Sequence, residues 1–132
     1  MHSNARKTCI SLRGSPEGIQ VLVAQSWYQR ILGIHKICPD SRVGLLLYPC
    51  SWVHTFSLKY SIDVLFFDQQ GTIIKCFPDV APRRLVIGPS SSAFALEVYS
   101  HHQALSNWSM GMTLEGGVAE RLIRKSLLYL VG

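Results

Sequence analysis

The sequence lacks most of what a membrane protein, a secreted disulfide scaffold or a metal-binding domain is built from. Its longest apolar runs, Leu45–Tyr48 and Leu127–Val131, fall far short of the roughly 20 residues a helix needs to cross a bilayer. The first eighteen residues hold no apolar stretch of signal-peptide length, since Thr8-Cys9-Ile10-Ser11-Leu12 is short and polar. The chain as read is therefore expected in the cytoplasm. Cys9, Cys38, Cys50 and Cys76 are scattered, and no Cys-x-x-Cys pair occurs. A zinc site sets half of its tetrahedron from closely spaced ligands. Without that spacing no metal is expected, and the thiols read as small buried hydrophobes. Phosphate loop, dinucleotide fingerprint and Gly-x-Ser-x-Gly elbow are missing too, as are repeats and low-complexity segments. No cofactor is called for.

Charge is scarce, at 16% of 132 residues, although the net value of +5 is basic. The excess sits at the ends. Arg6, Lys7 and Arg13 have no acidic neighbour before residue 15, and Arg121, Arg124 and Lys125 outnumber Glu120 after residue 115. The stretch between them balances. A nucleic-acid-binding domain gathers cations over a face of its body, because each neutralised phosphate adds affinity. The distribution argues against nucleic acid as the main partner.

What is present is enough apolar sequence, 48%, for one buried core. Ile19–Ala24 is β-branched and apolar after a Gly/Pro turn cluster and predicts a first strand. Ser26 can cap a short helix from Trp27 to Leu32 that ends at Gly33. Val43–Tyr48 reads as a buried strand. In the next segment Trp52, His54, Phe56 and Leu58 alternate with Val53, Thr55 and Ser57, as two faces of an extended chain. Ile62–Asp68 is apolar on both faces, the mark of a strand central to a sheet covered on both sides. Asp68-Gln69-Gln70-Gly71 predicts a tight turn with Gly71 at positive φ, and Thr72–Phe77 the returning strand. Leu85–Ile87, Phe94–Tyr99 and Met112–Leu114 complete the strands. After Gly116-Gly117, a stripe of Val118, Leu122, Ala119, Ile123, Leu127 and Leu130 predicts an amphipathic tail helix.

The expected fold is all-β, a small antiparallel sandwich or barrel-like domain with one short N-terminal helix and a C-terminal tail helix. Residues 1–18 read as a flexible basic segment, 19–115 as the domain and 116–132 as the tail helix.

Two polar residues fall on faces that otherwise read as core. His54 alternates with Trp52, Phe56 and Leu58; Asp63 alternates with Leu65 and Phe67. A buried polar group needs a partner. If residues 59–61 close a hairpin, a His54–Asp63 hydrogen bond can form in the core. Asp63 can equally pair with Lys59, Arg83, Arg84 or backbone amides. His54, Thr55, Asp63 and Asp68 are the candidate ligand-binding residues, Asp68 reading most simply as a turn-former. Glu97, within the alternation of its strand, is open to pairing with Arg83 or Arg84. An enzyme reading takes Cys50, His54 and Asp63 as a nucleophile, base and orienting acid. On one strand Cys50 and His54 stand roughly 13 Å apart, so they meet only if the chain folds back at Pro49. A metal at Cys50 and His54 with Asp63 or Cys76 is an alternative of similar standing, and His101-His102 reads as a solvated pair. In the tail, Arg121, Arg124, Lys125 and Leu127 are the candidate partner-binding residues. The tail can pack on its own sheet, dock a protein, or lie peripherally on anionic lipid.

One run carries a likeness. Pro49-Cys50-Ser51-Trp52-Val53-His54-Thr55-Phe56-Ser57-Leu58, followed by Ile62-Asp63-Val64-Leu65-Phe66-Phe67-Asp68 and Gly71, resembles the core motif of the family catalogued as domain of unknown function 192. Ala24–Gly33, Ala93–Glu97 and Gly111 resemble its flanking helix, its later strand and its closing glycine. The likeness spans residues 19–115. Leu58, Ser57 and Met112 stand where that pattern has Met, Gly and Asp. The resemblance implies an all-β sandwich-like fold with one small helix, and no established activity. The reading that follows is a non-catalytic binding or accessory module for a protein partner or small ligand, with the Cys50–His54–Asp63 enzyme as its alternative.

Overall fold

The computed structural model describes residues 6–13, 18–24, 43–56, 58–100, 108–115, 117–121, 123 and 124. Eight strands carry it: β1 (Arg6–Ser11), β2 (Gly18–Ala24), β3 (Val43–Leu47), β4 (Trp52–His54), β5 (Ile62–Phe67), β6 (Ile73–Val80), β7 (Leu85–Ile87) and β8 (Phe94–Tyr99). Six form one sheet in the order β1-β2-β3-β8-β5-β6, and β4 pairs with β7 as a separate two-stranded ribbon. The arrangement is the expected all-β, sandwich-like one, with helical residues at 118–121, 123 and 124. The predicted helix at 27–32, the His101-His102 pair and the tail from Lys125 onward lie outside the described residues.

The large sheet is covered on both faces, as its sequence pattern demands. Along β5 and β8, Leu65, Phe67, Phe94, Leu96 and Val98 join one cluster with Ile10, Trp108, Leu114 and Ala119. Their alternates Ile62, Val64, Phe66 and Ala95 join a second with Cys50, Val53, Leu58 and Val86. The first cluster is closed by Trp108, Leu114 and Ala119, the second by the β4–β7 ribbon. Full burial of such side chains contributes about 1.5–3 kcal/mol each, and here it also fixes where the ribbon must lie.

Three features depart from the pattern reading. Arg6–Ser11 is a strand, pairing antiparallel with β2 from Arg6↔Val23 to Ser11↔Gly18. Only Cys9 and Ile10 of this edge strand give an apolar signal, and charged residues such as its Arg6 and Lys7 are common on edges. The β2–β3 pair is parallel, so the sheet is not wholly antiparallel. The hairpin through residues 59–61 does not form. His54 pairs across to Leu85 in the ribbon, while Asp63 pairs with Val98 in the large sheet. Leu58 N–H bonds the Thr55 carbonyl (3.2 Å), turning the chain out of β4 before it can run back along β5.

The predicted turn does form. Asp68 accepts the Gln70 and Thr72 N–H groups on Oδ1, both at 3.0 Å. Gly71 sits at φ +82°, and a Cβ there would meet that of Ala119 at 3.0 Å. The turn is thereby held against the start of the short helix.

Candidate functional site

The ribbon inverts the alternation read from β4. Val53 and Thr55 point inward, 4% and 0% exposed, whereas Trp52 and Phe56 are 55% and 60% exposed. His54 is therefore on the outward face and not in the core. The apolar weight of Trp52 and Phe56 suggested the opposite, but alternation separates two faces without saying which is covered. Thr55 goes inward because its polar atoms are satisfied there. Its hydroxyl accepts Arg84 N–H at 2.8 Å and donates to the Ala81 carbonyl at 2.8 Å. Its carbonyl accepts Arg83 N–H at 3.0 Å, which holds Arg83 at φ 65°.

On the outer face His54 stands between two aromatic rings. Its ring centroid is 6.4 Å from Trp52 and 5.4 Å from Phe56, the latter pair stacked. Nδ1 accepts the Phe56 N–H at 3.4 Å. Leu85 and Ile87 flank them from β7, in register with His54 and Trp52 and 55% and 67% exposed. Four large apolar side chains thus share one small outward surface, with Arg83 and Arg84 exposed at its foot. The sequence held a signal for this face, the Trp-x-His-x-Phe alternation, but it read as core.

The other candidate residues are not brought together. Cys50 is buried in the cluster beneath the ribbon, its thiol donating to the Trp52 carbonyl at 3.1 Å. Asp63 belongs to the opposite face of the large sheet, lining a small recess of about 120 Å³ with Leu65, Cys76 and Trp108. Its Oδ1 accepts Asp79 N–H at 2.8 Å, and Asp79 takes φ 52°. A hydrogen bond between His54 and Asp63 does not exist; a backbone amide, one of the open alternatives, is Asp63's partner. Cys50, His54 and Asp63 are thus distributed over the buried side of the ribbon, its outer side and the far face of the sheet.

In that recess, burial first and the Asp63 carboxylate second raise the Cys76 thiol above its ordinary pKa, against a smaller lowering by Lys75. Such a thiol is mostly protonated and a poor nucleophile. Among the described residues, no group of three or more His, Cys, Asp or Glu is placed to hold a metal ion. Glu97, 2% exposed, faces inward in the middle of the large sheet, while Arg83 and Arg84 stand exposed beside Thr55. Arg121 and Arg124 are exposed on the short helical stretch, and Lys125 and Leu127 lie outside the described residues. No helix of the described residues is long and apolar enough to cross a membrane.

A second concavity, about 590 Å³, opens at the tip of the β5–β6 turn between Arg13, Gln69, Gln70, Thr113 and Glu120. It is polar where the ribbon face is apolar, and no local spacing announces it, because three distant segments build it.

Known structures share this architecture. A protein of unknown function from Novosphingobium aromaticivorans DSM 12444 superposes with a TM-score of 0.71 at 11% identity, over 86% of this chain and 87% of that one. A protein named as a candidate transcription regulator, from Sinorhizobium meliloti 1021, superposes with a TM-score of 0.74 at 19% identity, over 89% and 98%. Identities this low carry the fold alone. No curated protein matches the chain. With its strands, its turn and the motif around Cys50–Gly71 in place, and residues 8–116 matched by the family model, the chain belongs to the domain of unknown function 192 family, DUF192, described as uncharacterized ACR.

Proposed function

We propose that the chain is a non-catalytic binding module that docks a protein partner on the outward face of the β4–β7 ribbon. The observation that supports this is the grouping of Trp52, Leu85 and Ile87, on a ribbon only three residues long per strand, with Phe56 just beyond β4, each more than half exposed. Single exposed apolar residues are ordinary, whereas a contiguous patch marks an interaction surface. Aromatic anchors ringed by polar groups match the composition of interface hot spots. The ribbon's backing is rigid, since Val53 and Val86 are buried and Thr55 ties the 81–84 loop. Arg83 and Arg84 at its foot suit a partner with an apolar segment and an acidic rim.

A photo-crosslinking residue at Ile87, compared with one at Gln70, tests the reading in living cells. The expected result is one discrete crosslinked protein from position 87 and none from position 70, with direct binding to the purified chain weakened by Trp52→Ala. Equal labelling from both positions, or binding indifferent to Trp52→Ala, contradicts it.

A further inference from the structure

The polar basin at the turn tip is independent of the ribbon, and its chemistry is specific. Its three segments are tied by backbone bonds: Arg13 N–H to the Thr113 carbonyl (2.9 Å), Leu114 N–H to Gly71 (2.9 Å) and Glu115 N–H to Ser11 (2.7 Å). Asp68 accepts the amides of Gln70 and Thr72 on its Oδ1, which positions that wall. The Thr72 and Thr113 hydroxyls lie 2.9 Å apart; one hydrogen joins them, and the acceptor's own hydrogen is left over. Around this frame stand the Arg13 guanidinium, the Gln69 and Gln70 amides and the Glu120 carboxylate, all on exposed residues.

The walls therefore offer one positive group, one negative group, and amides that both donate and accept. A simple anion gains Arg13 but shares the basin with Glu120. A simple cation meets the reverse. A ligand carrying both signs pairs with each. The volume lies within the range of small-molecule sites. We propose that this basin binds a small zwitterion of the amino-acid or short-peptide class, its carboxylate on Arg13 and its ammonium on Glu120, with the Gln69 and Gln70 amides on the groups between.

Titration of the ¹⁵N-labelled full chain, read at the side-chain amides of Gln69 and Gln70, tests the proposal. The probes are glycylglycine, its N-acetylated form, its C-terminal amide, and sodium acetate. The expected result is a saturable shift with glycylglycine, at least about tenfold weaker when either end is blocked, the equivalent of one lost charge-assisted contact. Arg13→Gln and Glu120→Gln each weaken glycylglycine binding by about tenfold with an unchanged folded spectrum, while Trp52→Ala leaves it intact. No saturation with glycylglycine, equal response to the blocked forms or to acetate, or indifference to both substitutions overturns the assignment.

Discussion

Thr55 grips Arg84 twice across 29 positions of chain: its hydroxyl accepts the Arg84 N–H at 2.8 Å, and its own N–H donates to the Arg84 carbonyl at 2.9 Å. The side chain that looked available for a ligand is thus committed to the fold. It determines which way β4 faces, and so which side chains reach solvent. Thr55→Val keeps the shape but leaves Arg84 N–H and the Ala81 carbonyl without that partner, at a cost of about 1–3 kcal/mol. Thr55→Ser keeps both bonds and falls between them. Thermal unfolding followed by circular dichroism gives the order wild type, Ser, Val; a Val variant as stable as the wild type contradicts it.

The β5–β6 turn depends on two residues in different ways. Asp68→Ala removes the acceptor of two amides and is expected to cost about 1–2 kcal/mol. Gly71→Ala places a Cβ at positive φ, about 1–2 kcal/mol from conformation alone, and against Ala119 and Leu114 at 3.0 and 3.2 Å. The glycine substitution is therefore the more damaging. Denaturant midpoints of the two variants check the ranking, which fails if Gly71→Ala is neutral.

Cysteine reactivity follows burial. Cys9 is exposed, Cys76 half-buried and Cys50 buried, so among these three limited alkylation and peptide mapping should label Cys9 first and Cys50 last. Rapid labelling of Cys50 in the folded chain would revive a thiol chemistry for it. Cys76 adds a pH dependence. Its folded pKa is raised by burial and Asp63, so the unfolded chain loses the thiol proton at a lower pH than the folded one. The associated stability is intact below the ordinary thiol pKa and is lost as pH climbs through the raised folded value. The melting temperature of the wild type should fall more steeply with alkaline pH than that of Cys76→Ser; parallel profiles contradict this.

The local elements are legible in the sequence. β5, its turn and β6 are adjacent in sequence, and their pattern states both the burial on two faces and the glycine's φ. Long-range choices were not legible. The inversion of β4 depends on Arg84 and Ala81, the placement of Asp63 on Asp79, and the identity of β1 as a strand on its pairing with β2. The motif residues Cys50, His54 and Asp63 are close in sequence but were separated by strand pairing. The basin combines residues from Arg13 to Glu120, which no spacing rule joins.

The proposed docking role of the Trp52–Ile87 face differs measurably from that of a face that merely covers a core. Titration of the crosslinked partner with the wild type and with the Trp52→Ala, Ile87→Ser double variant measures it most directly, alongside unfolding of both proteins. Docking on this face predicts at least about tenfold weaker binding by the variant, with stability changed by no more than about 0.5 kcal/mol. Equal affinity, or a double variant that unfolds as a core mutant does, would contradict it.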